Sequence, residues 1–155
     1  MTPRFKTALF AGTFNPFTIG HKSIADRVLQ IADRLVIGFG VNPDKPDPGA
    51  VSRLAGVKRL YADDPRVTVV QYSGLTTDFA RECGADFMIR GVRSVADFEY
   101  ERNLADINLK ISGIETLLLP ALPELSYVSS SMVRELAANG VDISPYVPQK
   151  NQSPA

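Results

Sequence analysis

The sequence predicts an α/β protein built on one doubly wound parallel sheet, and three observations carry that prediction. Five short apolar or β-branched runs alternate with amphipathic segments along the chain. The run Leu35-Val36-Ile37-Gly38-Phe39-Gly40-Val41 has no polar alternation, the mark of a strand covered on both faces. Each run is followed by a polar, glycine-bearing or basic turn, and right-handed crossovers then bring all those turns to one edge of the sheet.

The bulk properties agree with a single globular unit. The 155 residues, 45% hydrophobic and 22% charged, fit one domain with a real core, expected over residues 1–148 with a flexible polar tail at 149–155. Lys and Arg total 17 and Asp and Glu total 17, so there is no net positive field for a nucleic-acid backbone, and any anion must be gripped locally. Cys83 stands alone, which excludes an intramolecular disulfide and a multi-cysteine metal site and leaves it to pack beside a helix. No run approaches a membrane span, and Met1-Thr2-Pro3-Arg4 lacks the apolar region of a signal peptide. A soluble, cytoplasmic protein without nucleic-acid or membrane partners is expected.

The elements follow in order. Residues 5–11 read as the first strand, ending at Gly12. From Lys22, the residues Ile24, Val28, Ile31 and Ala32 recur at helical spacing. Residues 35–41 are the second strand. Three prolines and a glycine make 42–49 a loop, carrying Lys45. A helix at 51–62 places Leu54, Val57 and Tyr61 to pack, and β-branched 67–70 is the third strand. After the turn at 73–76, a short helix at 77–83 closes at Gly84, and 87–89 is the fourth strand. Ser94-Val95-Ala96-Asp97 matches a capping box and opens a long helix to about residue 111. Residues 115–119 form the fifth strand, 120–125 a loop and 132–138 a helix, before a last turn at 144–148. The expected sheet is five-stranded and Rossmann-like, with order 3-2-1-4-5.

Ligands in such sheets bind beyond the strands' carboxyl ends. The stretch from Gly12 to His21 lies there and holds the only histidine. It reads either as a plain strand-to-helix turn or as an anion site, with Thr13, Thr18 and His21 adding donors to a helix N-terminus. Gly12 and Gly20 are expected to permit turns that a Cβ would block. Lys45 is either solvated or reaches an anion from the rim. Arg90 and Arg93 flank Gly91 at a helix start, which suits phosphate better than surface ion pairing. In Ser129-Ser130-Ser131, one serine is expected to cap the helix, leaving the other hydroxyls for an anion. Agreement of these turns on one edge points to an anionic ligand of nucleotide type.

Thr18-Ile19-Gly20-His21, together with Val128-Ser129-Ser130-Ser131-Met132-Val133-Arg134, resembles the nucleotidyltransferase superfamily with its T-x-G-H and late S-S-[ST] elements. The stretch from Arg90 to Glu101, with Asn108 beyond it, is similar more narrowly to the bacterial phosphopantetheine adenylyltransferases, and the likeness runs over residues 5–148. The resemblance implies transfer of the adenylyl group of ATP to 4′-phosphopantetheine, giving dephospho-coenzyme A and pyrophosphate. It implies ATP contacts at Thr13, Phe14, His21, Gly91, Val92, Arg93, Glu101, Leu125, Ser126, Tyr127, Val128, Ser129, Ser130 and Ser131, with His21 catalytic. Thr13, Lys45, Thr76 and Arg90 would hold phosphopantetheine. Mg²⁺ would ride on the phosphates without a dedicated protein site, and the resemblance further implies a homohexamer with coenzyme A as feedback inhibitor.

The chain departs from that family in two places. Asn15 stands where the family carries Asp, and Pro48-Gly49-Ala50-Val51-Ser52-Arg53 replaces a Glu-Glu-Arg-like helix start, with Arg53 as the matching residue. The rival readings are an adenylyltransferase acting on nicotinamide or nicotinate mononucleotide, a cytidylyltransferase using an alcohol phosphate, and a non-catalytic nucleotide- or coenzyme-A-binding module.

Overall fold

The computed structural model describes residues 6–149. Its five parallel strands are β1 (Thr7–Gly12), β2 (Arg34–Gly40), β3 (Val67–Tyr72), β4 (Phe87–Val92) and β5 (Glu115–Pro120), in the order β3-β2-β1-β4-β5. That is the expected order. Five helices, α1 (Ile19–Val28), α2 (Ala50–Leu60), α3 (Thr76–Glu82), α4 (Val95–Ser112) and α5 (Ser130–Ala138), complete the frame with two 3-10 turns, Pro123–Leu125 and Ser144–Tyr146. The signal-peptide region sought at Met1 to Arg4, the strand start at Phe5 and the expected tail beyond Gln149 lie outside the described residues.

The pleat sorts the core onto two faces. Ala8, Phe10, Leu35, Ile37, Phe39 and Ile89 join α1 and α2 on one side, whereas Leu9, Ala11, Val36 and Met88 meet Ala80 of α3 on the other. Neighbouring residues of one strand therefore serve opposite faces, which is why the buried strands read as unbroken apolar runs. Each fully buried Leu or Ile here contributes roughly 1.5–3 kcal/mol through burial. Cys83 packs against the second face, where burial pushes its thiol up from the ordinary range.

Several boundaries differ from the sequence reading. Helix α1 stops at Val28, so Ile31 lies in a turn and is 55% exposed, while Ala32 returns to the core. Strand β4 runs on to Val92 because Arg90, Gly91 and Val92 pair with Leu118, Leu119 and Pro120. Arg90 and Gly91 therefore belong to the ladder and not to a turn. Ser94 does cap α4, accepting the Asp97 N–H, but the Asp97 carboxylate takes the N–H of Arg93 one residue further back. At α5 the cap is Ser129, so Ser130 and Ser131 already sit in the first helical turn.

The expectation for Gly12 and Gly20 also changes. Neither has a positive φ; the left-handed residue of the turn is Phe14, at φ 49°. A Cβ at Gly12 would come within 2.9 Å of the Phe14 ring, whereas one at Gly20 would make ordinary contacts, with the Thr18 hydroxyl at 3.4 Å and the Val128 carbonyl at 3.7 Å. Glycine at position 12 makes room for an aromatic ring, and the backbone reversal falls on Phe14 itself.

Candidate active site

Two cavities open at the carboxyl edge of the sheet. The first, about 630 Å³, lies between the turn after β1, the start of α1, the end of β4 and the start of α5. Lys45, Arg90, Arg93 and Arg134 line it, and among the described residues no carboxylate does. The N-termini of α1 and α5 also face it through Gly20, His21 and Ser129 to Ser131, adding their dipoles and unpaired N–H groups to the cationic wall. A chain with no net charge thus carries a locally anion-seeking chamber.

The second cavity, about 520 Å³, lies between α3, α4 and the ends of β1, β2 and β4. Its wall mixes Leu75, Leu104, Ala105 and Ile111 with Thr76 and Asn108. Gly12, Thr13 and Arg90 line both cavities, so the two meet at the end of the central strand.

His21 is set by the local geometry of α1. Thr18 and His21 form a capping box, in which Thr18 Oγ1 accepts the His21 N–H at 3.3 Å and the Thr18 N–H donates to His21 Nδ1 at 2.9 Å. The Thr18 side chain, only 1% exposed, is therefore a cap and not an open donor for a ligand. The imidazole is packed among Phe10, Phe14 and Phe17, with ring centroids 6.1, 5.0 and 5.4 Å away. Burial, followed by the charges of Arg90 and Arg93, lowers its pKa to about 4. At neutral pH His21 is an uncharged donor carrying its proton on Nε2.

The first turn is held from the far end of the chain. Ser130 Oγ donates to the Pro16 carbonyl at 2.8 Å, and Arg134 Nη1 donates to the Asn15 carbonyl at 2.7 Å while Nη2 reaches Ser131 Oγ. The Ser130 hydroxyl proton is thereby engaged, contrary to the expectation that it was left for an anion.

A cytidylyltransferase-like family model matches residues 9–136. A phosphopantetheine adenylyltransferase of Phocaeicola vulgatus is 50% identical over 145 residues, covering 93% of this chain and 96% of its own length. The protein of the same name from Bacteroides fragilis is 48% identical over 145 residues, covering 93% and 97%. The chain belongs to the phosphopantetheine adenylyltransferases of the cytidylyltransferase-like family. Its fold is shared by a bifunctional NMN adenylyltransferase/ADP ribose pyrophosphatase from Francisella tularensis, with a TM-score of 0.69 at 14% identity, covering 96% of this chain and 46% of that one.

In this family member the residues picked from sequence fall into three places. Thr13, Phe14, His21, Lys45, Arg90, Gly91, Arg93, Leu125, Val128, Ser129, Ser130 and Ser131 line the first cavity, Lys45 from an exposed position. Thr76 and Glu101 line the second, with Thr76 Oγ1 2.8 Å from the Tyr72 hydroxyl. Val92, Ser126 and Tyr127 line neither: Val92 ends β4, Ser126 Oγ donates to the Pro123 carbonyl, and Tyr127 stands edge-on to Tyr146. Arg53 also lies outside both, in a two-pronged pair with Asp47. The sequence reading missed Arg134 as a wall residue, although its spacing of four from Ser130 puts both on one face of α5.

Proposed function

We propose that this chain transfers the adenylyl group of ATP to 4′-phosphopantetheine, releasing dephospho-coenzyme A and pyrophosphate. The observation that carries this reading is the meeting of a cationic, carboxylate-free cavity with a mixed apolar and polar one at Gly12, Thr13 and Arg90. A polyphosphate suits the first. A long arm with apolar and amide parts suits the second, its phosphate placed at the junction.

An acceptor phosphate oxygen forms the new bond to the α-phosphorus of ATP as the bond to the pyrophosphate oxygen breaks. The acceptor is already an anion, so no base has to remove a proton. Catalysis then rests on alignment of two polyanions and on donors aimed at charge that grows at the α-phosphate and on the leaving group. The neutral Nε2–H of His21 is the donor assigned to the α-phosphate, with Thr13 beside it. Gly91, Arg93, Leu125 and Val128 to Ser131, which line the first cavity, are assigned to the rest of the nucleotide, and Lys45, Thr76, Arg90 and Thr13 to phosphopantetheine.

Mg²⁺ fits this donor set as a passenger on the triphosphate. The first cavity offers hydroxyl and amide oxygens but no carboxylate, which suits an ion that keeps its waters and phosphate ligands. When bound it would supply charge neutralisation there. A cytoplasmic homohexamer regulated by coenzyme A is part of the same reading, and exposed Val95, Tyr100, Ile107 and Ile111 on α4 offer apolar surface for subunit contacts. Residues 1–148 are taken as one nucleotidyltransferase domain.

The test is incubation of the purified chain with ATP, Mg²⁺ and either 4′-phosphopantetheine or nicotinamide mononucleotide, followed by mass analysis. Dephospho-coenzyme A forming with the first acceptor and nothing with the second is expected. Consumption of the mononucleotide alone would favour the sister activity, and binding without turnover would favour a non-catalytic module.

A further inference from the structure

Glu101 is the buried carboxylate of the second cavity, 6% exposed, and it stands on α4 facing the end of the sheet. Arg90 Nε donates to Glu101 Oε2 at 2.8 Å and Nη2 to Oε1 at 2.7 Å, while Nη1 donates to the Ala11 carbonyl at 2.7 Å. These three contacts fix the guanidinium in its plane and along its axis. One N–H on each terminal nitrogen is left over to donate to a phosphate oxygen.

The resemblance places Glu101 on the nucleotide, yet no residue of α4 lines the first cavity, and both Glu101 oxygens face Arg90. Arg90 itself lines both cavities, at their junction. Burial opposes the Arg90 charge, but the hydrogen bonds and charge of Glu101 outweigh it and hold the guanidinium above its usual value. A carboxylate directed this way does not contact a polyphosphate, which it would repel. It aims the cation that does.

We propose that Glu101 is a positioning residue of the acceptor side: it orients Arg90 at the junction of the two cavities so that the remaining N–H pair meets the phosphate of the acceptor. This inference rests on the adenylyl-transfer reading above. It differs from a direct nucleotide contact in which substrate should feel its loss.

The test compares steady-state kinetics of the wild-type chain, Glu101→Gln, Arg90→Gln and the double variant, varying ATP and 4′-phosphopantetheine separately. Gln keeps the shape but offers one acceptor and an opposing NH₂, so the fork loses its guide. The acceptor KM should rise on the order of tenfold or more, as misalignment of a binding group does. The ATP KM should stay within about threefold, because Arg93, Arg134 and the helix N-termini of the first cavity are unchanged. Adding Glu101→Gln to Arg90→Gln should change acceptor KM by less than about twofold, since Glu101 acts only through Arg90. Glu101→Asp keeps the buried charge paired but withdraws it by one methylene, and it should move the acceptor KM in the same direction even if Glu101→Gln does not fold. An ATP KM that rises as much as the acceptor KM, or independent effects in the double variant, would overturn the inference while leaving the reaction intact. A wild-type chain that makes no dephospho-coenzyme A would overturn both.

Discussion

The backbone N–H of Thr18 donates to Nδ1 of His21 at 2.9 Å. An amide N–H can only donate, so Nδ1 must present its lone pair and the proton must sit on Nε2. The residue that starts the helix therefore also decides which face of the imidazole is a donor. Surrounding aromatic rings and the charges of Arg90 and Arg93 keep that ring neutral.

His21 is the chain's only histidine, so its titration can be followed without assignment ambiguity. Nitrogen-15 NMR of the ring should show the Nε2–H tautomer at neutral pH and a midpoint near 4. A midpoint near 6.5, or the Nδ1–H form, would contradict the geometry described.

The same burial makes stability depend on pH. The unfolded chain takes up a proton near the ordinary value of 6.5 and the folded chain only near 4, so the unfolded state gains protons first as pH falls. The contribution is complete above about 6.5, is lost on the way down to about 4 and then levels, a total on the order of 3 kcal/mol. Urea unfolding of wild type and His21→Gln across this range should give curves that converge as pH falls. Parallel curves would show that His21 does not titrate as described.

Arg134 ties α5 to the first turn through the Asn15 carbonyl. Arg134→Met keeps the aliphatic stem but removes the donors and one positive charge from the wall of the first cavity. ATP KM should rise about tenfold, and phosphopantetheine KM should move less, in the range expected for loss of a charged hydrogen bond. Isothermal titration with ATP checks this, and an unchanged affinity would mean that Ser130 alone holds the turn.

The sheet order was legible because the central strands β1 and β2 are buried on both faces and read as runs, and because turn chemistry marks the strand ends on the same edge. The helix cap at Ser94 was legible for the same local reason, whereas which of the three serines caps α5 was left open, and the helix begins at Ser130, two residues before the expected start. What sequence could not reveal is long-range pairing: Arg134 with Asn15, Ser130 with Pro16 and Arg90 with both Glu101 and Ala11 join segments that no periodicity connects. Those pairings decide which polar groups remain open, so Ser130 and Thr18 looked like ligands and are tethers. The end of β4 was also misplaced, since pairing with β5 overrides the turn preference of Gly91.

Turnover by His21→Gln is the most direct test of the central claim, that a neutral Nε2–H in the wall of the first cavity stabilises charge at the α-phosphate. Pyrophosphate release at saturating ATP and 4′-phosphopantetheine should fall by roughly a hundredfold to a thousandfold, the effect of losing one such donor. The ATP dissociation constant should stay within about threefold, because the interaction is made mainly in the transition state. Turnover within about threefold of wild type would contradict the role assigned to His21.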